Sequence, residues 1–114
     1  KGPLTDKAYQ DALATCKRMM NEYHLDAIVA PTAGPAHVTD WLNGDHGLGD
    51  STTPAAVAGY PSITVPAGFI SGLPVGISFF GRAWSEQKLL AIAYAFEKAT
   101  AIRRPPVYLS TVSP

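Results

Sequence analysis

The run from Thr53 to Gly81 constrains the fold most tightly, because glycine and proline recur in it where ordered segments must begin and end. Thr53 suits the position before a helix and Pro54 its first residue, where a missing N–H costs nothing. Residues 54–58 then allow a short helix, Gly59 suits a left-handed stop, and Pro61 forbids continuation. Residues 62–66 read as a strand with Ile63 and Val65 on one face. Residues 75–80 read as a second, with Val75, Ile77 and Phe79 alternating against Gly76, Ser78 and Phe80. The glycine-rich connection from Pro66 to Pro74 is too short for a parallel crossover, so the strands are expected to be antiparallel neighbours.

The flanking sequence supplies helices. Over residues 6–24, Tyr9, Ala12, Leu13, Cys16, Met19, Met20 and Tyr23 recur at three- and four-residue steps, which gathers them on one helix face. Thr5 or Asp6 suits its cap, and Lys7, Gln10, Asp11, Lys17 and Arg18 face water. Residues 26–30, stopped by Pro31, read as a short strand buried on both faces. Ser85 is the expected cap of a second long helix over 86–100, with Glu86 in its first turn. Its buried stripe is Leu89, Ile92, Ala93, Phe96 and Thr100, widened by Leu90 and Ala99, and Trp84 is expected to staple its start or pack under the loop. Pro105-Pro106 closes the pattern and 103–114 reads as a tail.

Residues 31–53 have no periodicity and hold Gly34, Pro35, Gly44, Gly47 and Gly49. An irregular segment of this length is usually functional, disordered or part of something larger, and it is expected to border a ligand cavity. The whole is one α/β segment, a fragment of a larger mixed β-sheet flanked by helices. With 114 residues an independent core is possible, and 46% hydrophobic against 16% charged residues argues for packing rather than disorder. The low charge hints at apolar surface that continues into a larger body or a partner.

Nine basic residues balance nine acidic ones, so no charge excess argues for nucleic acid or an anionic membrane surface. No apolar run reaches the roughly 18–20 residues of a membrane span. The start at Lys1-Gly2-Pro3 has no apolar signal core and suggests a piece cut from a longer chain. Cys16 alone rules out an internal disulfide framework and fits a cytoplasmic setting.

Four blocks in order carry a resemblance: Asp26-Ala-Ile-Val-Ala-Pro-Thr32, Ala58-Gly-Tyr-Pro-Ser-Ile-Thr-Val-Pro-Ala-Gly68, Gly72-Leu-Pro-Val-Gly-Ile77, and Ser85-Glu86 through Leu89-Leu90, extended by Ala93 to Glu97. Together they resemble the C-terminal part of the amidase signature family. The resemblance implies a mixed sheet flanked by helices, in an enzyme that hydrolyses carboxamides with a serine–serine–lysine apparatus and glycine-rich N–H groups at the oxyanion. The lysine and the Gly-Gly-Ser-Ser-Gly run of that apparatus lie upstream of the matched region and have no counterpart here. No catalytic residue, cofactor or metal is therefore carried over, and the isolated chain is expected to be inactive. What the resemblance does carry over is a cavity wall: Leu48, Gly49, Ser51, Thr52 and Thr53, with Thr32 as a neighbour, are the candidate substrate-binding residues, and Trp41 is a further apolar flank. The implied partners are the upstream part of the same amidase and a small-molecule amide, with self-association through exposed strands.

Other residues invite sharper readings. Gly76 to Gly81 superficially matches a nucleophile elbow, but the spacing is one residue too long and Ser78 falls within a strand. Lys88 lies on a polar helix face and Cys16 on a buried stripe, where a solvated lysine and a core thiol are the defaults. Arg82 suits a structural ion pair, and His24 suits the carbonyls at a helix end. His37, Asp40, Asp45, His46 and Asp50 have metal-ligating chemistry without a standard spacing. Two alternatives stay open: a non-catalytic binding or interaction module on the same scaffold, and a small metal-binding protein using the 37–50 loop.

Overall fold

A computed structural model describes the chain over residues 6–108, apart from Val38, Asp45, His46, Leu48 and Val107; the side chains of Ala8, Ala12 and Cys16 also lie outside the description. Thr5 as a cap, Cys16 as a core thiol and the end of the tail thus fall outside the described residues.

Three helices and three strands follow in the order α1 (Lys7–Glu22), β1 (Ile28–Pro31), α2 (Thr52–Ala58), β2 (Ser62–Ile70), β3 (Leu73–Phe80) and α3 (Glu86–Thr100). The sheet order is β1-β3-β2, and both pairings are antiparallel. Ile63 sits opposite Phe79 and Val65 opposite Ile77. Those four side chains form one face of the hairpin, and α3 lies on it. Val65, Phe79, Leu89 and Ala93 make the buried cluster, with Ile63, Ile77, Ile92 and Phe96 packed around it. The Phe79 and Phe96 rings meet edge to face with centroids 5.8 Å apart, an orientation that suits their opposed edge and face charges.

The hairpin is longer than the sequence suggests. β2 runs past Pro66 to Ile70, where a two-residue turn, Ser71-Gly72, leads straight into β3. Both turn residues have positive φ, 49° and 79°, as the tight turn matching strand twist requires. A bulge between Pro66 and Gly68 absorbs the proline, and β2 is an edge strand, where a missing N–H breaks no second ladder. Pro74 is tolerated likewise, since β1 pairs only with Ile77 to Phe80.

β1 begins two residues later than expected and is not covered on both faces: Val29 is 54% exposed. It too is an edge strand here, and α3 packs on β2 and β3. The stripe on α3 is correspondingly narrow, and Leu90, Ala99 and Thr100 are exposed because β2 and β3 cover only its central face. α1 packs against α2. Met20 is buried at 1% exposure, whereas Met19 and Tyr23 face outward, so its covered stripe is also narrower than the apolar pattern.

The helix ends differ in chemistry from the sequence reading. α2 starts at Thr52 with Ser51 in the cap position, which places Pro54 in the third helical position rather than the first. The Ser51 side chain makes no capping bond; the Asp50 carboxylate accepts the Thr52 N–H at 2.8 Å and the Thr52 hydroxyl instead. Gly59 ends the helix in the left-handed conformation as expected, φ 66°. Ser85 precedes α3, but its hydroxyl donates back to the Arg82 carbonyl at 2.7 Å. Trp84 has φ 64° and is 92% exposed, so it neither staples the helix nor packs under the loop; the left-handed backbone turns the ring to solvent. Arg82 donates Nη2 to the Met20 carbonyl at 2.6 Å rather than bonding a carboxylate, placing a cation at the negative end of α1. The His24 backbone N–H, with φ 50°, reaches the Asn21 carbonyl. After α3 the chain folds back, and the Arg104 guanidinium stacks over Phe69 at 4.6 Å, so the segment from residue 103 is not wholly a free tail.

Candidate functional site

Thr32, just past β1, ties the irregular segment to the sheet three times. Its N–H donates to the Gly76 carbonyl at 2.9 Å, and its carbonyl accepts the Ser51 N–H at 3.1 Å. Its Oγ1 lies 2.7 Å from Ser78 Oγ, which lies 2.8 Å from Thr64 Oγ1. The three hydroxyls cross the sheet face opposite α3, one from each strand region. Ser78 is 2% exposed and must accept one of these bonds and donate the other, since accepting both would leave its own buried hydrogen without a partner. Gly76 makes the arrangement possible: a Cβ there would stand 2.8 Å from Thr32 Oγ1 and 2.9 Å from Thr64 Cγ2.

An isolated bridge pairs Ala33 with Asp50, and the Gly34 N–H reaches the Gly49 carbonyl. These contacts hold residues 49–51 beside the sheet and open a concavity of about 700 Å³ between them. Its wall is mostly apolar, built from Ala30, Pro31, Ala33, Ile70, Val75 and Ile77, with Asp50 and Ser51 as polar points. The Ser51 hydroxyl is buried with no hydrogen-bond partner among the described residues. A smaller hollow of about 430 Å³ adjoins it, lined by Thr32, Thr64 and Gly76 among others.

Of the candidate residues, Gly49 and Ser51 line the main concavity and Thr32 lines the adjoining hollow. Thr52 and Thr53 line neither; they begin α2, and the Thr52 hydroxyl first, then the Thr52 N–H and least the Thr53 N–H, hold the Asp50 carboxyl below the ordinary carboxylate range. Leu48 lies outside the described residues. Trp41 is 91% exposed in a turn away from the lining. The sequence reading missed Asp50 as the group organising this end, although an aspartate two residues before a threonine at a helix start signals such a cap. It also missed Thr64 and Ser78, whose partnership depends on strand register.

The metal-ligating residues do not converge: no group of three His, Cys, Asp or Glu side chains comes together among the described residues. Asp40 is bound within its own turn and Asp50 to Thr52, while Asp45 and His46 lie outside the described residues. Lys88 pairs with Asp26 and lowers that carboxyl, at the surface and away from the concavity.

The Amidase family profile matches residues 4–90. A protein of Arabidopsis thaliana named as a probable amidase is 43% identical over 95 residues, which cover 82% of this chain and 15% of that protein. A glutamyl-tRNA(Gln) amidotransferase subunit from a Dehalococcoides mccartyi strain is 37% identical over 67% of this chain and 17% of its own length. Among solved structures, the native peptide amidase of Stenotrophomonas maltophilia superposes with a TM-score of 0.67 and 45% identity, over 97% of this chain and 24% of that one. The chain thus spans about a sixth of these two curated relatives' lengths. With the profile matched across three-quarters of its residues, it belongs to the amidase signature family.

Proposed function

We propose that the chain is the C-terminal part of a carboxamide hydrolase, where it completes the β-sheet and walls one side of the acyl-binding cavity. The observation that carries this reading is the concavity: apolar side chains of the sheet face a pinned polar loop, and the remaining side is open. The similarity to a peptide amidase and to amidotransferase subunits supports an amide as the group acted on. In this reading the upstream part supplies the serine nucleophile, the second serine and the lysine. The serine attacks the amide carbon, the amine or ammonia leaves, and water releases the acid from the acyl-enzyme.

No described residue of this chain takes over those roles. Ser78 is buried in mid-strand between two threonines, and Lys88 is paired with Asp26. Gly49, Ser51 and Leu48 are the proposed substrate contacts, with Thr32 lining the adjoining hollow. Thr52 and Thr53 act on Asp50 rather than on substrate. The upstream part is also the proposed partner of the open sheet edges, with a second copy of the chain as a substitute when it is absent.

The test is ammonia release from simple carboxamides. The purified chain is expected to match buffer, and the chain joined to its upstream reading frame is expected to turn substrate over. Activity that co-purifies with the chain alone overturns the proposal.

A further inference from the structure

The exposed turn Asp40-Trp41-Leu42-Asn43-Gly44 holds the sequence's only asparagine followed by glycine. The backbone nitrogen after an asparagine can attack the side-chain carboxamide carbon, and glycine, with no Cβ, leaves that approach open. Here both residues are exposed, and Gly44 has φ 82°. Three restraints oppose the attack. The Gly44 N–H donates to the Asp40 carbonyl at 2.9 Å, holding the proton that must leave before nitrogen becomes nucleophilic. Asn43 Nδ2 donates to Asp40 Oδ2 at 2.9 Å, which fixes the carboxamide toward Asp40. The Leu42 and Asn43 N–H groups donate to Asp40 Oδ1 at 2.8 and 3.0 Å, which fixes the backbone between. All three restraints run through Asp40, the first through its main-chain carbonyl and the other two through its carboxylate.

We propose that Asn43 is a site of spontaneous deamidation and that Asp40 sets its rate by holding both reacting groups apart. In the reaction, the Gly44 nitrogen loses its proton and bonds to Asn43 Cγ. The Cγ–Nδ2 bond breaks, and ammonia departs with the proton. Water then opens the succinimide. Cleavage of the bond from nitrogen to Cγ gives aspartate, and cleavage of the bond from nitrogen to the main-chain carbonyl carbon gives isoaspartate, with Gly44 attached through Cγ. No oxidant, cofactor or enzyme is needed. Either product replaces the donor facing Asp40 with a second carboxylate, so the turn cannot re-form its bond to Oδ2. The turn lies between Ala33 and Asp50, the two ends of the bridge beside the concavity. A chemical change at Asn43 therefore alters the segment that this bridge closes.

The experiment incubates the full chain at neutral to mildly alkaline pH and follows Asn43 by peptide mass and fragmentation, which separate asparagine, aspartate and isoaspartate. Asp40→Ala and Asp40→Asn are compared with the unaltered chain, and a short synthetic peptide with the same turn sequence gives the unrestrained rate. The folded chain is expected to convert more slowly than the peptide. Asp40→Ala, which removes every side-chain acceptor, is expected to convert on the order of tenfold faster than the unaltered chain. Asp40→Asn, which loses the acceptor for Asn43 Nδ2 but keeps one for the Leu42 and Asn43 N–H groups, is expected to convert faster by a smaller factor. Circular dichroism identifies variants that keep the fold, and Asp40→Asn decides if Asp40→Ala does not. Equal rates in the unaltered chain and a folded variant overturn the proposal, as does a folded chain that converts as fast as the peptide.

Discussion

The three hydroxyls of Thr32, Ser78 and Thr64 show how little freedom one backbone atom can have. Thr32 Oγ1 and the Thr64 methyl close over the Cα of Gly76 because nothing projects from it. In an ordinary strand, glycine to alanine helps by about 0.5–1 kcal/mol, since the unfolded chain loses freedom. Here the added carbon meets two side chains at under 3 Å, and Thr32 cannot swing away without leaving Ser78. Overpacking of that kind costs about 1–3 kcal/mol, so the clash wins. Gly76→Ala is expected to lower stability by about 1–2 kcal/mol, read from the midpoint of urea unfolding. An unchanged or raised midpoint would show that the hydroxyls are free to move. None of this is legible in one dimension: Gly76, Thr64 and Thr32 meet only through register, whereas Gly59 announces its left-handed stop by its place between Ala58 and Pro61.

At the scale of elements, periodicity is the dependable signal and the helix and strand ends are not. α3 follows the central part of its apolar spacing, Leu89, Ile92, Ala93 and Phe96, because the β2–β3 face lies beneath those residues. Leu90, next to Leu89 in sequence and equally apolar, is 59% exposed. The pair gives an internal comparison: Leu89→Ala is expected to cost about 2–5 kcal/mol and Leu90→Ala under about 0.5. Comparable losses from both would mean that α3 is rotated from the orientation described. The ends mislead for a shared reason. Pro66, Gly68 and Pro74 read as breakers in the sequence, yet an edge strand with a bulge accommodates them. At α2 and α3 the serines sit in the cap position, but Asp50 does the capping of α2 and Ser85 turns back to Arg82. Residue type marks where those helices start, and competition among neighbouring side chains decides which atoms bond.

The whole molecule is a slab, 48 × 40 × 19 Å, with a Cα radius of gyration of 16.9 Å. A compact domain of this length has a radius of about 13 Å. Only eight apolar side chains are buried among the described residues, while Tyr23, Val29, Leu90 and Tyr94 are each more than half exposed. Both outer strands, β1 and β2, leave one row of backbone groups unpaired within the sheet. That combination of thin core, open edges and exposed apolar faces favours pairing with whatever strand is available. In the proposed enzyme the upstream part fills this role; for the chain alone, a second copy is the available partner. Light scattering is therefore expected to show a molecular weight that rises with concentration. Val29→Lys, which puts a charge on the exposed β1 edge, is expected to shift the population toward monomer without loss of helix or sheet signal, because Val29 contributes little to the core. The sign is opposite if the edges are irrelevant and association is simple hydrophobic clumping of partly unfolded chains: a destabilising substitution would then increase it. A chain that stays monomeric across the accessible concentration range would remove the case for an incomplete sheet, since exposed edges would then be tolerated in water without a partner.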